Sequence, residues 1–134
     1  MGTRRSSREY ALQMLFQWDI TRDAIEQIQA NFWDSHDEPE NVVQFASLLV
    51  NRTIEHSEEI DAMIQSHAEH WRLDRMAVVD RNVLRLATQE LMFDKETPAT
   101  VVINEAIEIV RRYGSEDSPQ FINGILDSIR KALE

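Results

Sequence analysis

Three arginines near the start of the chain, Arg4, Arg5 and Arg8, carry the clearest chemistry in the sequence. A guanidinium is a planar fork of donors that can meet two phosphate oxygens at once. Phe16 lies eight residues beyond Arg8. On a helix that is ~80° around the axis, so its ring would border the same surface. An aromatic beside arginines is the usual arrangement for holding single-stranded RNA, although the same spacing also fits Phe16 as a core residue. Further along stand Asp74, Arg75, Asp80, Arg81 and Arg85. Arg81 and Arg85 share one helix face with Asp80 beside them, which reads either as a solvated face or as a protein interface.

Catalytic constellations are sparse. His67 and His70 are placed for one helix face, but a metal needs a third ligand and no His-Glu-x-x-His pattern accompanies them. Glu105 with Glu108, and Glu55 with Glu58 or Glu59, also share faces. Acid–base chemistry would need one carboxyl of a pair desolvated. Glu108 instead precedes Arg111 and Arg112 in the favourable orientation for ordinary helix ion pairs. Gly114 and Gly124 are too far apart for a phosphate loop, and Gly-x-Ser-x-Gly is absent. With no cysteine, the chain has no disulfide, thiolate metal site or cysteine nucleophile. These residues describe a binding protein, with no catalytic group, no metal, no cofactor and no small-molecule substrate.

Charge sharpens that reading. The chain of 134 residues has 14 basic and 24 acidic side chains, for a net charge of −10, which argues against a general nucleic-acid binder. The distribution is uneven: residues 1–22 carry +2 and the remainder −12. A basic tip on an acidic body fits phosphate at the tip and a basic protein on the body; acidity for solubility alone is the plainer alternative. The longest unbroken apolar run is Met76-Ala77-Val78-Val79, far short of the ~20 residues that span a bilayer. Arg8 and Glu9 interrupt the stretch a signal peptide would need. Met1-Gly2-Thr3-Arg4-Arg5-Ser6 fits the loose myristoylation pattern, but one acyl chain anchors only marginally. The expectation is a soluble, cytoplasmic chain.

The length fits one domain, and three Gly with three Pro are too few for an all-β protein. Apolar residues recur at helical spacing throughout. A first helix is expected to open on a Ser6/Glu9 capping box, with Arg4 and Arg5 just before it and Arg8 in its first turn. Cations there oppose the helix dipole, so they are dispensable to the core. Further helices are expected around Asp23–Phe32, from Pro39 through Ile54, from Ser57 to Ala68, and from about Asp74 to Phe93. A sixth should start at Thr97-Pro98 and stop at Tyr113-Gly114, and a seventh at Ser118-Pro119. Gly124 lies inside the last helix, where it costs ~1 kcal/mol against Ala and so reads as a point of close helix approach. Seven helices and no strand make the expected fold all-α.

The runs Arg4-Arg5-Ser6-Ser7-Arg8-Glu9-Tyr10-Ala11, Asp80-Arg81-Asn82-Val83-Leu84-Arg85-Leu86-Ala87 and Val102-Ile103-Asn104-Glu105-Ala106-Ile107-Glu108 resemble the NusB family of transcription antitermination factors. So does Tyr113-Gly114-Ser115-Glu116-Asp117-Ser118-Pro119-Gln120-Phe121-Ile122-Asn123-Gly124. The landmarks follow the family order along nearly the whole chain. The resemblance implies two packed three-helix bundles in one RNA-binding domain spanning residues 1–134. It implies binding of single-stranded boxA RNA in nascent, mainly ribosomal, transcripts together with NusE, a small-subunit ribosomal protein. The pair would help RNA polymerase pass terminators. Carried over by position, Arg4, Arg5, Arg8, Phe16 and Asp117 would face RNA, and Asp80, with Arg81 and Arg85, would face the partner. The alternatives are a related RNA-binding domain of the kind found in rRNA cytosine methyltransferases, or a helical adaptor without an RNA role.

Overall fold

The computed structural model describes residues 2–134. Met1, the first residue of the acylation pattern, lies outside them. Seven α-helices follow one another: α1 (Thr3–Thr21), α2 (Ile25–Asp34), α3 (Glu40–Glu55), α4 (Ser57–Ser66), α5 (Val78–Phe93), α6 (Ala99–Tyr113) and α7 (Ser118–Leu133). Among the described residues there is no strand, and no helix is long and apolar enough to cross a membrane.

Two apolar cores are present, as the two-bundle expectation requires. Ala11, Met14 and Leu15 of α1 pack with Ile25 and Ile28 of α2 and Ala46, Leu49 and Val50 of α3. The second core joins α4 to α7 through residues such as Ile60, Leu84, Ile109, Ile122, Leu126 and Ile129. Each fully buried side chain of this size contributes ~1.5–3 kcal/mol. The cores exchange one residue each: Leu12 of α1 enters the second, and Leu86 of α5 enters the first. α1 and α5 are therefore the wall shared by both bundles.

Several helix ends differ from the sequence expectation. α1 begins at Thr3 behind Gly2, not at Ser6. The amide of Ser6 already donates to the Gly2 carbonyl at 3.3 Å, and the Glu9 carboxylate is held by Arg112 at 2.9 Å, so no capping box forms. Arg4 and Arg5 thus lie inside the first turn and Arg8 inside the helix. α5 begins at Val78, after a 3-10 turn over Leu73–Arg75. The Arg81 guanidinium donates to the Leu73 and Met76 carbonyls, both at 3.2 Å, and so holds that turn apart from the helix. Before α6, Asp94 rather than Thr97 organises the start. Its carboxylate accepts from the Glu96 and Thr97 amides at 3.0 and 3.3 Å and from the Thr97 hydroxyl at 2.7 Å.

The two glycines of the C-terminal region exchange roles. Gly114 ends α6 in extended backbone, and a Cβ there would lie 2.7 Å from Ser118 Oγ and 3.0 Å from the Val110 carbonyl. Its small size admits Ser118, which is buried and accepts from the Ser115 amide at 2.9 Å. Gly124 is exposed, and a Cβ on it would meet no atom within 4 Å. The close approach read from the sequence is therefore absent at Gly124 and present at Gly114. Replacing Gly124 by Ala should stabilise the fold by about 1 kcal/mol, because only the backbone-entropy cost of a mid-helix glycine remains. A melting temperature that falls in Gly124→Ala would contradict an open site.

Candidate nucleic-acid and partner interface

The arginine tip is built differently from the sequence expectation. Arg8 is only 5% exposed, and its Nε and Nη2 donate to both oxygens of the buried Glu90 carboxylate at 2.9 and 2.8 Å. Burial works against the charge, but the bidentate Glu90 contact outweighs it and raises the Arg8 pKa. Arg8 is thus a structural tie between α1 and α5, neither dispensable nor free for phosphate. Arg5 forms a second fork, with Glu105 of α6 at 2.9 and 2.7 Å. That contact pushes Arg5 up and holds the Glu105 carboxyl below the usual range. Arg4 alone keeps its charge unpaired, with its guanidinium 3.9 Å from the centre of the Phe45 ring.

At the other end of the α1–α5 contact lies Asp19, whose side chain is almost fully buried. It accepts from Arg81 Nε at 2.8 Å and Asn82 Nδ2 at 2.9 Å, and Arg85 approaches to 3.2 Å. Burial would raise its carboxyl; the Arg81 and Asn82 hydrogen bonds and the two guanidinium charges outweigh that and lower it. Arg85 also forks onto Asp61 of α4 at 2.9 and 3.1 Å. Arg81 and Arg85 therefore face inward and tie α1, α4 and α5 together, which corrects their expected place on a partner-facing surface. The tie order, Arg8 to Glu90 and Asp19 to Arg81, makes α1 and α5 antiparallel.

Asp80 and Asp117, assigned to different surfaces from the sequence, line one cleft of about 460 Å³ with Trp71, Arg75, Ser118 and Phe121. Asp80 is 8% exposed, and its Oδ1 has no hydrogen-bond partner. Trp71 is 59% exposed and meets Phe121 edge to face, with centroids 5.7 Å apart. Sequence reading missed both aromatics: Trp71 lies in a turn without helical periodicity, and Phe121 reads as an ordinary apolar position of α7. Phe16, at 36% exposure, points out from the middle of α1. The expected RNA-facing residues thus fall into a basic end at the start of α1, an exposed ring midway and a cleft at the start of α5.

The histidine pair separates. α4 stops at Ser66, His67 Nδ1 lies 2.7 Å from Ser128 Oγ, and His70 is exposed in the following turn. Among the described residues no three His, Asp or Glu side chains are grouped to hold a metal. Glu105 and Glu108 are occupied separately, by Arg5 and Arg111.

The NusB family model matches residues 5–131. The transcription antitermination protein NusB of Koribacter versatilis (strain Ellin345) is 52% identical over 134 residues, covering 99% of this chain and 92% of that protein. The chain belongs to the NusB family. The structure of NusB from T. maritima superposes with a TM-score of 0.87 at 41% identity, covering 98% of this chain and 92% of that one. A structure of the antitermination factors NusB and NusE in complex with dsRNA gives a TM-score of 0.90 at 30% identity, covering 98% of both chains.

Two outcomes follow from the ties. Arg8→Ala should cost about 3–5 kcal/mol, because it strands the Glu90 charge in the interior. The double change Arg8→Met with Glu90→Leu should recover most of it; urea unfolding measures both, and a loss below ~1 kcal/mol for the single variant would place the pair in solvent. Asp19 and Glu105 have lowered folded-state values. Their stabilisation is therefore complete above the unfolded carboxylate range near ~4 and is lost as pH falls below it. Asp19→Asn should flatten the acid limb of stability against pH; an unchanged limb would exclude Asp19 from it.

Proposed function

We propose that this chain acts in transcription antitermination by holding single-stranded boxA RNA of nascent, mainly ribosomal, transcripts together with NusE while RNA polymerase passes terminators. The observation that carries the reading is the likeness, along the whole chain, to a NusB seen with NusE and RNA. The protein works by binding and not by catalysis.

The cleft at the start of α5 offers what a single strand needs. The open face of Trp71 can stack a base, with Phe121 edge-on behind it. Arg75 has no carboxylate partner among the described residues and is free for phosphate. The unpartnered Asp80 oxygen accepts an exocyclic amine such as cytosine N4. Asp117 repels phosphate, so the strand enters base first. Phe16 and Arg4 extend the path along α1, with Arg5 held beside them by Glu105. Arg8, Arg81 and Arg85 serve it indirectly, by holding α1 on α5. The acidic remainder of the chain, at −12 outside residues 1–22, fits a basic ribosomal protein. Asp80 is open to that partner only through the cleft.

Trp71→Ala should weaken boxA binding by the worth of one stacked base, ~1–3 kcal/mol. Its helical circular dichroism and calorimetric affinity for NusE should stay at the parental values. Asp80→Asn should weaken RNA and spare NusE. Parental boxA affinity in both variants would remove RNA from the cleft, and loss of NusE binding in Asp80→Asn would make Asp80 a partner residue instead.

A further inference from the structure

We propose that the groove between the start of α1, the middle of α3 and the end of α5 is a second seat, built for one nucleotide unit. It encloses about 380 Å³, within the range of small-ligand sites. It lies at the opposite end of α5 from the Trp71 cleft.

The first support is electrostatic. Of the fourteen Lys and Arg side chains, ten are within ion-pair distance of a carboxylate among the described residues. The four without such a partner are Arg4, Arg52, Arg75 and Lys95. Three of them, Arg4, Arg52 and Lys95, line this one groove. In a chain of net charge −10, where acid is in excess, three unmatched cations in one place mark a seat for an anion. Three carboxylates share the wall. Glu90 is neutralised by Arg8, while Asp94, bonded to neutral donors at the α6 start, keeps its charge, so Asp94 and Glu96 together stand against three positive charges and the groove remains net positive.

The second support is independent of charge. Gln89 is fully buried, forms part of the groove wall, and has no hydrogen-bond partner for either Oε1 or Nε2. An amide left so is costly to bury, and its donor and acceptor together match the polar edge of a nucleobase. Phe45 and Phe93 supply apolar wall for the base. Arg4, stacked on Phe45, would turn toward the phosphate. Cations for a phosphate, aromatic wall for a ring and an unspent amide for a base edge define a nucleotide. It can arrive free, or as a nucleotide flanking boxA in the bound strand; the second source rests on the RNA reading above.

The side-chain NH₂ signal of Gln89, followed by ¹⁵N NMR in the full chain, reads the seat directly. The probes are uridine 5′-monophosphate, inorganic phosphate, a minimal boxA RNA and a boxA RNA extended at both ends. The signal should move with the mononucleotide if the ligand is free, or only with the extended RNA if it is part of the strand. Arg52→Ala with Lys95→Ala should abolish the movement and leave minimal boxA affinity unchanged. In the strand case it should also lower the salt slope of the extended RNA by about 0.7, the share of the one phosphate no longer neutralised. No movement with either nucleotide probe overturns the seat, and an equal movement with inorganic phosphate overturns its nucleotide character. If the parent protein fails to bind minimal boxA, the RNA reading fails while the mononucleotide arm still tests the groove.

Discussion

The buried ionic contacts between α1 and α5 set the geometry on which both bundles rest. Arg8 with Glu90 fastens one end of that pair of helices, and Asp19 with Arg81, Asn82 and Arg85 fastens the other. Interdigitated apolar side chains between them resist sliding. A bidentate fork in a dry site resists it as well, because a shift leaves two charges without water and without partners. The ionic ties and the apolar exchange of Leu12 and Leu86 thus specify the same register of α1 on α5.

That constraint reaches the surface. α1 belongs by packing to the first bundle and α5 to the second, so their register fixes how the Arg4 groove and the Trp71 cleft, at opposite ends of α5, are spaced. Arg85 extends the tie to α4 through Asp61, next to the turn that bears Trp71. The seam carries the clefts on either side of it, and its own Glu90 forms part of the groove wall.

Charge is distributed by subtraction. Most of the cations are neutralised within the fold, and the carboxyls of Asp19 and Glu105 are held low by such contacts. What remains for an outside ligand is a small remainder, and the fold gathers three of its four members into one groove. The fourth, Arg75, stands in the cleft with two aromatic side chains. An acidic protein can in this way keep unpaired cations locally without a basic face.

The sequence alone determined the helical class, the number of helices and most of their limits, because a 3.6-residue apolar period and a break by Pro, Gly or an acidic run are local properties. The family, too, was legible in linear runs such as Asp80–Ala87 and Tyr113–Gly124. Tertiary structure decided what each polar side chain is for. Arg4, Arg5 and Arg8 look alike in a linear reading; only the arrival of Glu105 and Glu90 from distant helices makes two of them structural and leaves one free. The same holds for Gly114 and Gly124, whose roles depend on whether Ser118 or open solvent faces the missing side chain. Local pattern fixes where the backbone coils, but burial and pairing arise between residues up to about a hundred positions apart, and no period in the sequence encodes them.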